Sequence, residues 1–226
     1  MLVAIIPTLN EEEGIGPTIR DYLKVLPELK MIIVDGGSSD STVKIARSLG
    51  AEVLTVNERG KGIAISKGLH YIREAGINPE FVIFTDGDYT YPADRLPDMI
   101  KLLEKDGSVG AVLGNRLHGL PWWRIASDVY LMGNLIIRWL YYVWTSIKLE
   151  DPLSGLRVVR WKAIEKWSPE SKGFEIETEM NLYLIRRGWR IAEIPIAYRE
   201  RLGRKKLKIR DAIPIINTLR KHSKHL

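Results

Sequence analysis

The sequence predicts an α/β fold in which a mostly parallel sheet is flanked by helices. Three observations predict this class. Short aliphatic runs recur through the first half of the chain, the stretches between the first four are long enough for a helix, and polar residues with glycine follow several runs. Runs of this length suit buried strands, and their alternation with helices is typical of doubly wound sheets. The predicted strands are residues 3–6, 31–34, 53–56, Phe81–Phe84 and 111–113.

Four helices are predicted between and after these strands. They are residues 14–25, 41–49, 62–75 and 93–104. Pro92 lies just before the last of them, which favours a helix start there. Because ligands bind at the carboxyl ends of strands in open α/β sheets, we expect the functional residues in the loops that follow the strands.

The composition is that of a folded globular protein, with 226 residues of which 45% are hydrophobic and 27% charged. The absence of cysteine excludes disulfides and thiolate metal sites. The net charge of +6 is uneven, because residues 199–226 hold ten Lys or Arg against two acids. A basic end predicts an anionic partner, either lipid headgroups or nucleic acid, or it serves only solubility.

Residues 120–147 interrupt the alternation of strands and helices with a segment rich in aromatic residues. Its Trp and Tyr residues are Trp122, Trp123, Tyr130, Trp139, Tyr141, Tyr142 and Trp144. Uncharged runs such as residues 139–147 are about half of the roughly 20 residues that a membrane-spanning helix needs. The segment therefore predicts amphipathic helices at a membrane interface, or alternatively a buried aromatic helix pair or an oligomer contact.

Two carboxylates, Asp86 and Asp88, flank Gly87 directly after the strand Phe81–Phe84. Mg²⁺ and Mn²⁺ prefer oxygen ligands and commonly use one or two protein carboxylates together with substrate phosphates. This spacing predicts a metal-held diphosphate. The alternative is a polar Asp-Gly turn without a ligand.

Polar residues also follow the first two predicted strands. They are Pro7, Thr8, Asn10 and Glu11 after the first, and Asp35 after the second. Side chains at adjacent strand ends can hold a nucleoside, with Asp35 accepting from a base N–H or a ribose hydroxyl. In this second loop Ser39 or Asp40 can equally be a helix N-cap.

Five motifs occur in the order IPTLNEE, VDGGSSDST, RGKG, TDGD and DPLSGLR. This set resembles the inverting family 2 glycosyltransferases of GT-A fold, a Rossmann-like nucleotide-diphospho-sugar transferase fold. Within that family the chain is most similar to the polyprenyl-phosphate glycosyltransferases of the dolichol-phosphate mannose and glucose synthase type. The resemblance implies metal-dependent transfer, with inversion, from UDP-glucose, a UDP-N-acetylhexosamine or GDP-mannose to a polyprenyl (dolichyl) phosphate.

The resemblance also implies roles for individual residues. The nucleotide sugar would contact Pro7, Thr8, Asn10, Glu11, Asp35, Lys61, Asp86, Gly87 and Asp88. Asp86 and Asp88 would bind Mg²⁺ or Mn²⁺, and Lys61 would lie near the phosphates. Two departures from the family pattern are Gly36, where many relatives have a second acid, and Thr90, where mannose-transferring members commonly have glutamine. Thr90 leaves a UDP-sugar donor at least as well supported as GDP-mannose.

The segment after the aromatic stretch supplies the expected acceptor site, in a loop that holds Asp151, Ser154 and Arg157. The planar guanidinium of Arg157 suits an acceptor phosphate, although an ion pair on the surface or in the core is the alternative. The resemblance adds Arg201 and Lys206 as phosphate contacts.

One acid of Glu175, Glu177 and Glu179, with Glu175 preferred, is an active-site candidate by the same resemblance. Acids in the first turn of a helix are the alternative, because the helix dipole stabilises them there. The expected catalytic residues are therefore Asp88, Asp151, Arg157 and Glu175.

A phosphate acceptor is largely dianionic at neutral pH, since its second pKa is about 6, and it needs no strong general base. The alternative enzyme acts on a sugar hydroxyl, which requires a carboxylate base such as Asp151 or Glu175. A non-catalytic nucleic-acid-binding protein is disfavoured by the intact Asp86 and Asp88 pair, so we expect no nucleic acid partner.

Two parts are predicted, a GT-A domain at residues 1–205, which includes the membrane-interface segment 120–147, and a basic amphipathic tail at residues 206–226. The chain resembles family versions whose catalytic subunit lacks membrane-spanning helices. We expect peripheral attachment to an anionic membrane surface on its cytoplasmic face, alone or with a separate membrane-anchoring subunit.

Overall fold

The computed structural model describes residues 1–121, 123, 129–206 and 208–223, apart from the side chain of Tyr130. Parts of the predicted interface segment, residues 122 and 124–128, and of the predicted tail, residues 207 and 224–226, lie outside the described residues. The described strands are β1 (Leu2–Thr8), β2 (Lys30–Asp35), β3 (Glu52–Thr55), β4 (Phe81–Phe84), β5 (Val109–Asn115), β6 (Arg157–Arg160) and β7 (Arg190–Pro195).

Helices cover both faces of the sheet. The described helices are α1 (Glu12–Val25), α2 (Thr42–Ser48), α3 (Lys61–Glu74), α4 (Leu96–Lys105), α5 (Val129–Thr145), α6 (Trp161–Ile164), α7 (Ile176–Arg186) and α8 (Ala212–Ser223), with a 3₁₀ turn at Ile209–Asp211. The five predicted strands and four predicted helices are present. Helix α4 begins at Leu96 and not at residue 93, because residues 93–95 form a turn whose first backbone N–H, that of Ala93, donates to Asp21.

The seven described strands form one sheet in the order β3-β2-β1-β4-β6-β5-β7. Strand β6 runs antiparallel to both neighbours, and the other described pairs are parallel, so the mostly parallel prediction is confirmed. The sequence analysis placed Arg157 in a loop. It is instead the first residue of β6, because Val158 and Val159 are β-branched and pair with Ile83 and Val82 of β4.

The direction of β6 decides where the acceptor segment lies. Because β6 is antiparallel, its first residue, Arg157, pairs with Phe84 and Leu113 near the carboxyl ends of β4 and β5. The loop before β6 therefore reaches the same edge of the sheet as the loops after the parallel strands. The segment after β7 returns to this edge too, where Arg199 N–H donates to Thr90 O and Leu202 N–H to Asp88 O.

Alternation along the strands divides the core between the two faces of the sheet. In β1, Val3 and Ile5 pack on one face against residues of α3 and α7. Ala4 and Ile6 pack on the other face, which α1 and α4 cover. A third cluster joins α5, α7 and α8, and contains Ile137, Tyr141, Leu149, Leu182, Ile215 and Leu219. The described part of the predicted tail is thus packed onto the domain by Ile215 and Leu219.

Candidate active site

A pocket of about 390 Å³ opens at the carboxyl edge of the sheet. Its polar wall includes Glu11, Lys61, Asp86, Asp88, Arg116, Glu177, Arg201 and Lys206. Its apolar wall includes Leu153 from the loop before β6, Phe174 from the loop before α7, and Ile215 from helix α8. The pocket therefore presents both paired charges and hydrocarbon surface to a ligand.

The turn that carries Asp86 and Asp88 is fixed by close backbone packing. Gly14 of α1 lies against this turn, and a Cβ at that position would be 2.6 Å from Asp88 Cα. A Cβ on Gly87 would be 2.8 Å from Thr8 Cγ2. Both glycines therefore allow the start of α1, the end of β1 and this turn to meet, which brings Glu11 and Asp88 into one site.

Arg201 bridges Glu11 and Asp88 across the pocket. Its guanidinium donates to Asp88 Oδ2, and its Nη2 lies 2.5 Å from Glu11 Oε1. Lys206 pairs with the same glutamate oxygen. Asp88 Oδ1 accepts from the hydroxyl of Thr90 at 2.6 Å. Burial and the charge of nearby Asp86 raise the pKa of Asp88, and burial raises the pKa of Glu11 despite its two cationic partners.

Lys61 forms a second cationic bridge, between Asp86 and Glu177. Its Nζ lies 2.6 Å from Asp86 Oδ1 and 2.6 Å from Glu177 Oε1. Although burial opposes charge on Lys61 and on Asp86, the two acids raise the pKa of Lys61, and Lys61 lowers the pKa of Asp86. The lysine is thus held as a buried ammonium.

Lys61 is placed by contact between its flanking glycines and the loop before α7. A Cβ on Gly62 would be 2.1 Å from Ser171 O, and one on Gly60 would be 2.2 Å from Lys172 O. Backbone N–H of Gly62 donates to Lys172 O at 3.0 Å. Carbonyls of this loop therefore cap the first turn of α3, and only glycine permits the approach.

Arg116 follows β5 and lies on a buried carboxylate. Its Nε and Nη2 donate to the two oxygens of Asp151, each at 2.7 Å. Tyr91 and Tyr198 flank the guanidinium, with ring centroids 5.9 and 5.4 Å from its Cζ. Asp151 is fully buried and also accepts from Asn134, and Arg116 holds its pKa below the ordinary value against the effect of burial. Asp151 thus orients Arg116 and does not line the pocket.

The residues predicted for the nucleotide occupy neighbouring loops as expected, but not all of them face the pocket. Pro7, Thr8 and Glu11 line it, together with Gly36. Asp35 is buried at the end of β2, where its carboxylate accepts from the backbone N–H groups of residues 37 and 38. Asn10 has a positive φ of 51°, and its side chain accepts from Ser39 N–H, which ties the first two loops together.

Besides Asn10, Asp35 and Asp151, three further predicted site residues do not line the pocket. Arg157 is buried beneath the pocket, where its guanidinium donates to Ser154 O at 2.5 Å and to Asn181 Oδ1 at 3.0 Å. Ser154 is also fully buried, and its hydroxyl donates to Leu156 O. Neither position fits contact with an acceptor phosphate, because strand β6 directs Arg157 into the interior. Arg157 thus lies in the core, as one alternative had it, but these hydrogen bonds go to neutral oxygens of Ser154 and Asn181 and not to the expected ion-pair partner.

Glu175 is the third residue whose predicted role does not fit. Its carboxylate accepts from the N–H groups of Lys172 and Gly173 and braces the loop before α7. Glu177, two residues further along the chain, lines the pocket in its place. Sequence reasoning named the glutamates at 175, 177 and 179 together, but only the start of α7 at Ile176 determines which of them points towards Lys61.

The sequence analysis missed Arg116, Tyr91, Tyr198, Phe174 and the pocket position of Glu177. Arg116 had a usable signal, because it follows an aliphatic strand as Asp86 does. No sequence pattern marked Tyr91 and Tyr198 as site residues, because folding brings them to the guanidinium of Arg116 from distant parts of the chain.

Asp86 and Asp88 fit a divalent cation. Each carboxylate lies on the pocket wall, and each is paired with a basic side chain, so this site requires positive charge. Among the residues that the structure describes, no group of three or more His, Cys, Asp or Glu side chains forms a metal cage. A metal at this position would therefore take its remaining ligands from phosphates and water, as Mg²⁺ and Mn²⁺ do.

Comparison with known proteins assigns the family. The family described as Glycosyl transferase family 2 matches residues 3–160. The chain belongs to glycosyl transferase family 2. It is a glycosyltransferase, and the predicted fold and enzyme class are confirmed.

Two relatives of this family 2 protein carry informative names. A dolichyl-phosphate hexose transferase from Haloferax volcanii is 29% identical over 210 residues, which is 91% of this chain and 86% of the relative. An undecaprenyl-phosphate mannosyltransferase from Micrococcus luteus is 29% identical over 220 residues, 91% of this chain and 87% of the relative.

The fold is shared with solved structures of glucosyl-3-phosphoglycerate synthase from Mycobacterium tuberculosis. One of these, in complex with Mn²⁺, UDP-glucose and phosphoglyceric acid, has a TM-score of 0.75 at 20% identity and covers 99% of this chain and 80% of that chain. At this identity the likeness establishes the GT-A-like fold.

Helix α5 presents an apolar stripe beside the pocket-forming elements. Val129, Met132, Ile136, Trp139 and Val143 recur at three- and four-residue spacing and are exposed, Trp139 to 62%. The opposite face packs inward through the third core cluster. None of the helices in the described ranges is long and apolar enough to cross a membrane.

Proposed function

We propose that this enzyme transfers a sugar, with inversion, from a nucleotide diphosphate sugar to a polyprenyl phosphate. The observation that carries the proposal is the two-sided pocket, in which a charged wall adjoins an apolar wall of Leu153, Phe174 and Ile215. A lipid phosphate has the same two-sided chemistry. The names of the two relatives support this acceptor class.

On the donor side, Asp86 and Asp88 would hold Mg²⁺ or Mn²⁺ together with the diphosphate. The metal would neutralise charge on the departing nucleoside diphosphate. Lys61 and Arg201 lie beside these acids and add positive charge to the same wall. Pro7, Thr8 and Glu11, at the end of β1, provide the adjacent surface for the nucleoside.

On the acceptor side, Arg116 is the residue that we propose to receive the phosphate. Asp151 takes two of its donors, and the guanidinium still lines the pocket between two tyrosines. Arginine suits this role because its fixed donor geometry matches phosphate oxygens. Arg201 and Lys206 are further phosphate contacts within reach of the same pocket.

The pocket favours an acceptor that is already ionised. The carboxylates named as possible bases are both engaged, Asp151 by Arg116 and Glu175 by backbone N–H groups of its own loop. The two glutamates that line the pocket, Glu11 and Glu177, are each paired with a cation. A phosphate monoester brings its own negative oxygen, since its second pKa is about 6, and attacks the anomeric carbon without a strong base.

Access to a lipid acceptor requires contact with a membrane, and α5 supplies a suitable surface. Helix α8, which packs against α5, and the turn before it add the apolar side chains Ile213 and Ile209, which are 63% and 66% exposed. These two residues are near the basic residues Arg204, Lys208 and Arg210 in the sequence. Apolar side chains flanked by cations suit the interface of an anionic membrane. We propose peripheral attachment here, on the cytoplasmic face, with a separate anchoring subunit as the alternative occupant of the stripe.

The test is transfer of radiolabelled sugar from UDP-glucose, UDP-N-acetylglucosamine and GDP-mannose to a polyprenyl phosphate in detergent, with Mg²⁺ or Mn²⁺. We expect label in the organic phase with one donor, and a loss on the order of a hundredfold in Asp88→Asn. Asp98→Asn, which removes an exposed acid of α4, is the matched control and should retain wild-type transfer. Label that enters only a water-soluble acceptor would instead identify a glycosyltransferase acting on a sugar hydroxyl.

A further inference from the structure

We infer that Glu177 is a positioning residue, which keeps the Lys61 ammonium in an ion pair when Asp86 binds a divalent metal. The inference deepens the proposed function and rests on the metal-held donor in it.

Lys61 is shared equally between two acids of different accessibility. Its Nζ is 2.6 Å from both Asp86 Oδ1 and Glu177 Oε1. The side chain of Asp86 is 27% exposed, that of Glu177 only 6%. Asp86 is thus the partner that an incoming cation can reach, and Glu177 is the partner that stays with the lysine.

The same sharing of one cation recurs on the other metal acid, although there the two side chains are equally buried, Asp88 at 5% and Glu11 at 7% exposure. Arg201 bridges Asp88 to Glu11, as Lys61 bridges Asp86 to Glu177. Each aspartate therefore shares its cation with a glutamate. When a metal binds both aspartates, Lys61 keeps its ion pair with Glu177, and Arg201 keeps its ion pair with Glu11. Neither cation then loses its counter-charge, which would be costly at a buried position.

Glu177 is held in place from both sides. It lies in the first turn of α7, and its backbone carbonyl accepts from Arg157 Nη1 at 3.3 Å. The loop before α7 contacts the glycines that flank Lys61. The distance between the lysine and this glutamate is thus set by packing of backbone against backbone.

Removal of the Glu177 charge makes a specific prediction. In Glu177→Gln the buried ammonium keeps Asp86 as its ionic partner, so a metal must compete with Lys61 for that carboxylate. We expect Mn²⁺ to bind about tenfold more weakly, in the range of couplings between contacting charged residues. Lys61→Met removes the competitor together with a cation of the pocket wall, so it serves as the background in which the effect of Glu177→Gln should vanish.

The experiment is a double-mutant cycle read by electron paramagnetic resonance of free Mn²⁺. Binding is measured at fixed UDP, and in a parallel series GDP, without acceptor and against a protein-free blank. If Glu177 acts through Lys61, the double variant matches Lys61→Met. A Glu177→Gln effect that persists in the Lys61→Met background would mean a general loss of negative charge and overturn the inference, as would no effect at all.

Two controls keep the result specific. Glu104→Gln removes an exposed acid of α4 and should leave Mn²⁺ affinity unchanged. Glu177→Asp keeps the charge and should recover most of the affinity, whereas a purely structural role would leave it as impaired as Glu177→Gln. If wild type binds no Mn²⁺ with either nucleotide, the proposed function fails on its donor side. If it binds Mn²⁺ but transfers no sugar to lipid, only the acceptor assignment fails.

Discussion

The bidentate pair between Arg116 and Asp151 shows how a single buried residue shapes the site. Asp151 is fully buried and receives Arg116 through two hydrogen bonds of 2.7 Å. Glu193 accepts from the backbone N–H groups of Glu150 and Asp151, both at 2.7 Å, and so anchors the loop from below. The orientation of the pocket arginine thus depends on residues of three separate segments.

Asp151→Asn should destabilise the protein at neutral pH, because the variant leaves a largely buried guanidinium without its counter-charge. We expect a loss of about 3–5 kcal/mol in the free energy of unfolding. The Asp151 pKa lies below its ordinary value of 3.8. Its stabilising effect is therefore full above that pH and is lost as pH falls through the lower native value.

Thermal unfolding of both proteins between pH 7 and pH 2 checks this expectation. The difference in Tm should be large at neutral pH and narrow at the acid end. Glu150→Gln, which alters a surface pair with Arg138, serves as the control. A difference that stays constant across this range would contradict the assignment.

At this scale the sequence predicted the acids at strand ends better than the partners of those acids. Asp86 and Asp88 follow an aliphatic run, and an aliphatic run ends where a buried strand ends. Arg157 was misplaced because an arginine between a loop and a short aliphatic run gives no sign of whether its side chain points inward. Its interior position follows from the pairing of β6 between β4 and β5.

Among the elements, α5 combines two faces with different tasks. The face with Asn134, Ile137 and Tyr141 is buried, and Asn134 reaches Asp151. The other face is the exposed stripe. Because both faces belong to α5, a membrane contact on the exposed stripe is separated only by the width of this helix from the residues that orient Arg116.

Substitution of Ile136 and Trp139 by serine should weaken binding to anionic vesicles without loss of fold. Removing two exposed apolar side chains lowers the area available for insertion, and each large side chain contributes about 1.5–3 kcal/mol when fully buried. Co-sedimentation with vesicles of anionic and zwitterionic lipid measures the change. Lys101→Ser on α4 is the control, and equal binding by all variants would argue that the stripe faces an anchoring subunit or another protein.

At the scale of the whole molecule, helix α8 connects the core of the domain to the pocket. Ile215 and Leu219 pack against α5 and α7, and Ile215 also lines the pocket. The basic segment before α8 carries Arg201 and Lys206 to acids at the ends of β1 and β4. Residues near both ends of the chain thus build one site.

Leu219→Ala should cost about 2–4 kcal/mol of stability, because the side chain is fully buried and its removal leaves a cavity. Ile213→Ala, on the exposed side of the same helix, should change stability by less than about 0.5 kcal/mol. Chemical denaturation of the two variants measures the change in the free energy of unfolding. Equal effects would mean that α8 does not pack on the domain in solution.

The sequence by itself determined the alternation of strands and helices, the strand-end position of Asp86 and Asp88, and the family motifs. These are local properties, because hydrophobic periodicity and turn chemistry act over a few residues. The tertiary structure alone decided that β6 runs antiparallel, that Glu177 and not Glu175 meets Lys61, and that Arg116 rests on Asp151. Each of these depends on contacts between segments far apart in the chain, which only the packing of the whole sheet and its helices brings together.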